Sequence, residues 1–393
     1  MTAALAATIV VTAAVSESVR AAGRPALGPK EQAAVLALLD AVDVAQRDGT
    51  DADARILWDA HVLKSAAHKA YIPFTISLDG LTDSFERGAV YVRAVAKGTS
   101  IEQHSELRAW IRSGQSPMHI GESVSVNAGE MPVGGPGVMS SRRSTQQAAE
   151  SSAVLELQRR TIEKEREQAE KRAAERDPAL FAYEEYYFFD QKSFHDRSHR
   201  VFSRAIALPP GEYDFYVGIL DRAAKKTDRP ILLERRVMVP DFWNDDLRLS
   251  TLILATEMQL LAAPLVSKQQ GEQPYTFGRA ALAPTLTQIF SPGDVLTIVY
   301  QICNYAAPDA ALTANYQFYR VDAERRLFNG TPPQILGDDD LPPPAPWETQ
   351  AFAMQVVSLA RFPSGTYELE VTVSDRVLRG TAKGVARFRV VEK

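Results

Sequence analysis

The sequence predicts a mainly β protein of two tandem antiparallel sandwiches, with an N-terminal helical segment and a long charged helix inserted in the first sandwich. Two observations carry the prediction. Short β-branched and aromatic stretches alternating with period two recur between turn residues, without regular helices between them. A Pro-x-Gly-x-Tyr turn-and-strand unit also occurs twice, near residue 210 and near residue 364.

The first residues form the apolar run Ala3 to Ala14, and Val19-Arg-Ala21 supplies small residues for cleavage, so 1–21 is a candidate signal peptide. No Lys or Arg precedes the run. Either the true start lies upstream of Met1 or the run is an ordinary apolar segment; export is the expectation. No other stretch reaches the roughly 20 apolar residues that span a bilayer.

Residues 22–66 are expected to be helical. Val35, Leu36, Leu38, Leu39, Val42 and Val44 form a stripe that Asp48-Gly49 stops, and a shorter helical or mixed stretch runs from Ala52 to Leu63. The first sandwich is placed at 67–245. Its opening strands are Ala70 to Leu78 and Gly88 to Val95.

An interruption at 99–180 divides it. Ser113 to Ser141 is rich in Gly, Ser, Pro and Met, which indicates a loop. Arg142 to Asp177 mixes both signs of charge at helical spacing. Its apolar residues, Leu155, Leu157, Ile162, Ala169 and Ala173, are too few for a coiled coil, so it reads as a solvated arm. Strands resume at Phe181 to Phe189, Val201 to Leu208, Tyr213 to Leu220 and Ile231 to Val239. The second sandwich, 246–393, offers strands near 249–261, 294–303, 314–321, 349–359, 368–373 and 385–391.

The two copies of the unit run from Leu208 to Arg222 and from Phe362 to Arg376, and they align without a gap. Pro209/Pro363, Gly211/Gly365, Tyr213/Tyr367, Val217/Val371, Asp221/Asp375 and Arg222/Arg376 are identical. Proline presets a turn and glycine admits a conformation that a side chain obstructs. Tyr213, Phe215, Val217 and Ile219 then share one strand face, as do Tyr367, Leu369, Val371 and Val373. Those faces are the expected core faces. Glu212, Asp214, Glu368 and Glu370 point away, and Asp221 and Asp375 end the strands. The entry at Gly-x-Tyr has the pattern of a tyrosine corner, so immunoglobulin-like sandwiches are expected.

The run Pro209 to Val217, with Val239-Pro-Asp-Phe242, Leu247 to Ala255 and Phe290-Ser-Pro-Gly-Asp-Val-Leu296, resembles exported bacterial proteins. It is most similar to the β-sandwich regions that follow von Willebrand factor A-like domains in proteins of the Acidobacteria type. The resemblance covers roughly 200–393. The Asp-x-Ser-x-Ser metal site of the A-like domain is not in this sequence. What the resemblance implies is export and a binding or envelope role, without an active site.

Composition narrows the function. The 393 residues suggest two to three domains, and 45% hydrophobic with 24% charged residues is ordinary for a globular chain. A net charge of −5, with both signs mixed, argues against nucleic acid or an anionic membrane as the main partner. Cys303 is the single cysteine, which excludes an intrachain disulfide, and its apolar surroundings predict burial.

Other candidate chemistry is weak. His195 and His199 have a metal-like spacing on strand and loop sequence, without an HExxH glutamate. Asp241 to Asp246 and Asp338 to Asp340 are oxygen-rich but match no EF-hand loop. Ser113-Gly-Gln-Ser and Gly134-Gly-Pro-Gly137 lack what a phosphate loop needs, and no Gly-x-Ser-x-Gly elbow occurs. Leu341 to Pro346 reads as polyproline II connecting strands. Tyr183, Tyr186, Tyr187, Phe188 and Phe189 either stack on sugars or fill a core.

No catalytic, cofactor-binding or metal residue is therefore assigned. The expected protein is not an enzyme: it binds or scaffolds at the bacterial cell envelope, in the periplasm or at the surface, with a protein or envelope component as partner. The alternative is a carbohydrate-binding or metal-assisted accessory module of an extracytoplasmic enzyme system. An exposed aromatic platform would favour sugar, and a flat apolar patch a protein partner.

Overall fold

The computed structural model describes residues 27–49, 56–65, 68–78, 87–113, 177–190, 201–222, 229–244, 246–262, 265, 267–306, 311–322, 324–336 and 350–392. The signal-peptide candidate, most of the 99–180 interruption, the His195/His199 pair, Asp338 to Asp340 and Leu341 to Pro346 lie outside the described residues.

Helix α1 (Pro29–Asp48) opens with proline at its start, and the Glu31 carboxylate accepts the Gly28 N–H at 3.1 Å. Val35, Leu38, Leu39, Val42 and Ala45 are its buried stripe, whereas Val44 turns to solvent. Next come β1 (Trp58–Ala60), β2 (Leu63–Lys64), β3 (Ala70–Ser77), β4 (Arg87–Ala96) and α2 (Glu106–Ser113). They are followed by β5 (Tyr183–Asp190), β6 (Val201–Leu208), β7 (Gly211–Asp221) and β8 (Ile231–Val239). Residues 58–60 and 63–64 are therefore short strands, not the expected helical or mixed stretch, because they pair with β3. Helix α2 lies in the 99–180 interruption, ahead of the Ser113 to Ser141 loop, where the sequence suggests no element.

Sheet I has the order β5-β4-β7-β8, and in sheet II β3 pairs with β1 and β2 on one edge and with β6 on the other. This is the strand arrangement of an immunoglobulin-like sandwich whose connection between β4 and β5 is enlarged.

The second sandwich contains β9 (Arg248–Leu249), β10 (Ile253–Leu260), α3 (Ser267–Glu272), β11 (Thr276–Phe277), β12 (Ala280–Pro284) and β13 (Ile289–Phe290). It continues with β14 (Val295–Cys303), β15 (Leu312–Arg320), β16 (Arg326–Gly330), β17 (Gln334–Leu336), β18 (Gln350–Ser358), β19 (Gly365–Asp375) and β20 (Gly380–Val390). Sheet III runs β11-β12-β10-β14-β18, with β9 also on β14. Sheet IV runs β13-β20-β19-β15-β16, with β17 also on β15. Among the described strands of this sandwich β13 pairs parallel, against β20, and the other pairings are antiparallel.

The duplicated unit occupies equivalent places. In β7, Tyr213 stands opposite Ala96 on β4 and Val237 on β8; in β19, Tyr367 stands opposite Arg320 on β15 and Phe388 on β20. The Tyr213 hydroxyl donates to Pro209 O at 3.0 Å, and the Tyr367 hydroxyl to Pro363 O at 2.7 Å. Both are tyrosine corners. The predicted core faces are buried in both copies.

Hydrophobic clusters bind the layers in the order α1 and α2, sheet I, sheet II, sheet III, sheet IV. The outer faces of the two copies differ accordingly. Tyr216 and Gly218 of β7 lie under α1, while Glu368 and Glu370 of β19 pair with Arg325, Arg387 and Lys383. Buried Arg93 on β4 ties α1 down, its Nη1 donating to Asp43 at 2.7 Å and Gln46 at 2.9 Å.

Candidate functional site

The best-built polar and apolar constellation is the junction between sheets II and III. Every residue of β3 is buried, since its second face meets the other sandwich. Leu63 and Tyr71 from the first sandwich pack with Ile253, Ala255, Phe277, Val299 and Phe352 of sheet III and with Tyr275 beside it. Strands buried on both faces read as near-continuous apolar runs, and Val295 to Cys303 is one. That was the available sequence signal.

Hydrogen bonds fix the register. The Val62 N–H donates to Thr251 Oγ1 at 2.7 Å and the Thr251 N–H to Val62 O at 3.2 Å. The Gln301 side chain imitates a strand edge: its Oε1 accepts the Lys64 N–H at 2.7 Å and its Nε2 donates to Lys64 O at 3.2 Å. Lys64 Nζ donates to Asn304 Oδ1 at 2.8 Å, and Tyr71 donates to Pro274 O at 2.7 Å.

Within this seam stands a titratable group from each side. His61 is buried, with Nδ1 3.0 Å from the Tyr275 hydroxyl and Nε2 3.7 Å from Asp59 Oδ2. Gln288 Nε2 donates to the same Asp59 oxygen at 3.2 Å. Burial pushes the His61 imidazole below its usual value, against the Asp59 charge, and pushes the Asp59 carboxyl above its own. Sequence reasoning passed over these residues because they lie far apart in the chain and match no motif.

Asp241 Oδ1 accepts the Trp243 N–H at 2.9 Å, and Asp246 pairs with Arg248 at 3.5 Å. The Phe242 and Asp246 carbonyls accept from Asn304 Nδ2, at 3.0 and 2.9 Å. The linker oxygens thus hold turns and the junction together. Among the described residues no group of three or more His, Cys, Asp or Glu side chains is placed to hold a metal ion. Cys303 is buried, its thiol pushed up to about 12 by desolvation. The five aromatic residues of β5 divide between the sheet's faces: Tyr183, Tyr187 and Phe189 enter the first core, and Tyr186 and Phe188 pack near α1. They form no exposed platform.

Sheet III extends beyond the cover of sheet II. There Thr256, Glu257, Met258, Val295, Thr297, Met354 and Val356 line a trough of about 360 Å³. Met258, Val295 and Val356 are 39, 43 and 41% exposed.

No protein-family model and no curated protein matches the chain. Among solved structures it is similar to a β-glucuronidase of Bacteroides uniformis, at 8% identity over 82% of this chain and 26% of that one, with a TM-score of 0.23. It is also similar to a Salmonella alpha-2-macroglobulin reacted with methylamine, at 7% identity over 86% and 25%, with a TM-score of 0.31. A trypsin-activated alpha-2-macroglobulin from Escherichia coli gives 9% identity over 87% and 17%, with a TM-score of 0.19. The chain spans about a quarter or less of each, and at these TM-scores the likenesses carry no argument.

Proposed function

We propose that the chain is a non-catalytic binding or scaffolding element of the bacterial cell envelope that takes a protein partner. The apolar overhang of sheet III carries this reading. Contiguous exposed apolar side chains on a sheet suit another protein's apolar side chains, and the aromatic residues that would have offered a sugar platform are packed on both faces of sheet I. The joined sandwiches support it, because a surface held by two packed modules is pre-organised. The resemblance of 200–393 to exported bacterial sandwiches supports the envelope location.

Fractionation of the native host, with mass spectrometry of the mature N-terminus, tests the location. Recovery in the envelope fraction is expected; intact chain in the cytoplasm beginning at Met1 overturns it. A photo-crosslinking residue at Val356 tests the surface. A discrete protein adduct is expected there and none from the same residue at Lys383, on the polar face of sheet IV. Equal labelling at both positions contradicts the proposed partner surface.

A further inference from the structure

We propose that the Asp59–His61–Tyr275 cluster is a pH-sensitive latch: neutral His61 holds the two sandwiches closed, and protonated His61 releases them. The inference goes beyond the proposed function, since it needs the junction alone and neither a partner nor a location.

The geometry makes His61 a key in a lock. It belongs to the first sandwich, between β1 and β2, yet its ring hydrogen-bonds to the second through the Tyr275 hydroxyl and the Leu252 backbone. The rings of His61 and Tyr275 meet edge to face, with centroids 5.5 Å apart. Its own N–H is bound to Pro73 O at 3.0 Å, so the ring's position is set by sheet II. The titratable neighbours are Asp59 on β1, Tyr71 on β3 and Tyr275 ahead of β11; Thr75 and Gln288 add neutral contacts to Tyr275 and Asp59. Desolvation raises both tyrosine pKa values, so both phenols stay neutral in mild acid.

Protonation adds a charge at a dry seam, and the Asp59 carboxylate that faces it stands 3.7 Å away, beyond hydrogen-bond length. Opening the seam gives that charge water. The closed state therefore refuses a proton that the open state accepts, and acid favours opening. For a single proton the opening constant rises by up to about tenfold per pH unit below the ordinary histidine value of about 6.5. Asp59 acts the other way. Its raised value means that the closed state takes up a proton first, which halts the rise at lower pH.

Amide exchange in the full chain reads this directly at Val62, Lys64 and Thr251, whose N–H bonds cross the seam. Corrected for intrinsic rates, their protection is expected to fall about fivefold from about pH 6.5 to about pH 5.5, while Val217 and Val371 in the two cores hold steady. His61→Gln is expected to abolish the dependence. Should that variant fail to fold, the wild-type imidazole titration by NMR decides, with His61 expected below the ordinary range. Flat protection in the wild type, an unchanged slope in His61→Gln, or a His61 titration at or above the ordinary value overturns the latch.

Discussion

Tyr213 and Tyr367 show how much one residue reports. Each is a core ring whose hydroxyl closes on the proline four positions earlier, and each owes its place to the Gly-x-Tyr spacing. Gly211 has φ of 154°, a conformation that L side chains rarely adopt, and a Cβ there would touch the Tyr213 hydroxyl at 3.4 Å, so a substitution would strain the corner. Burial pushes the Tyr213 phenol up to about 12, consistent with a neutral donor. Tyr213→Phe and Tyr367→Phe keep the ring and lose one hydrogen bond. Each is expected to destabilise its sandwich by about 1 kcal/mol in chemical denaturation. The corners were legible because their residues are contiguous. Asp59, His61, Tyr275 and Gln288 were not, because only the packing of sheet II on sheet III brings them together.

The element scale explains why duplicated strands behave differently. β7 and β19 have the same length, register and core face, but only β7 carries a helix on its outer face. Gly218 permits this, since a Cβ there would stand 3.0 Å from Leu38 and 3.4 Å from Val42. Gly218→Val is expected to cost about 1–3 kcal/mol by overpacking and to loosen α1. Amide exchange along Pro29–Asp48 checks it, with protection lost in the helix before the sheet. The stripe of α1 was readable from its spacing. The strands β1, β2 and β11 were not, because pairs and triplets of residues carry too little periodicity and exist only through their partners.

At the scale of the molecule, the described residues form four sheets and a helical layer joined by consecutive apolar clusters. Tandem β-strand spacing made the two sandwiches legible, while their face-to-face docking required seeing that β3 is buried on both sides. Through that docking the two sandwiches form one body. Spin labels at Ala37→Cys on α1 and Val385→Cys on β20 place probes on the two outermost layers, both exposed, while buried Cys303 stays unlabelled. Pulsed electron–electron resonance between them at neutral pH is predicted to give a single narrow distance distribution. A broad or multimodal distribution from a folded, doubly labelled chain would mean that the sandwiches move independently.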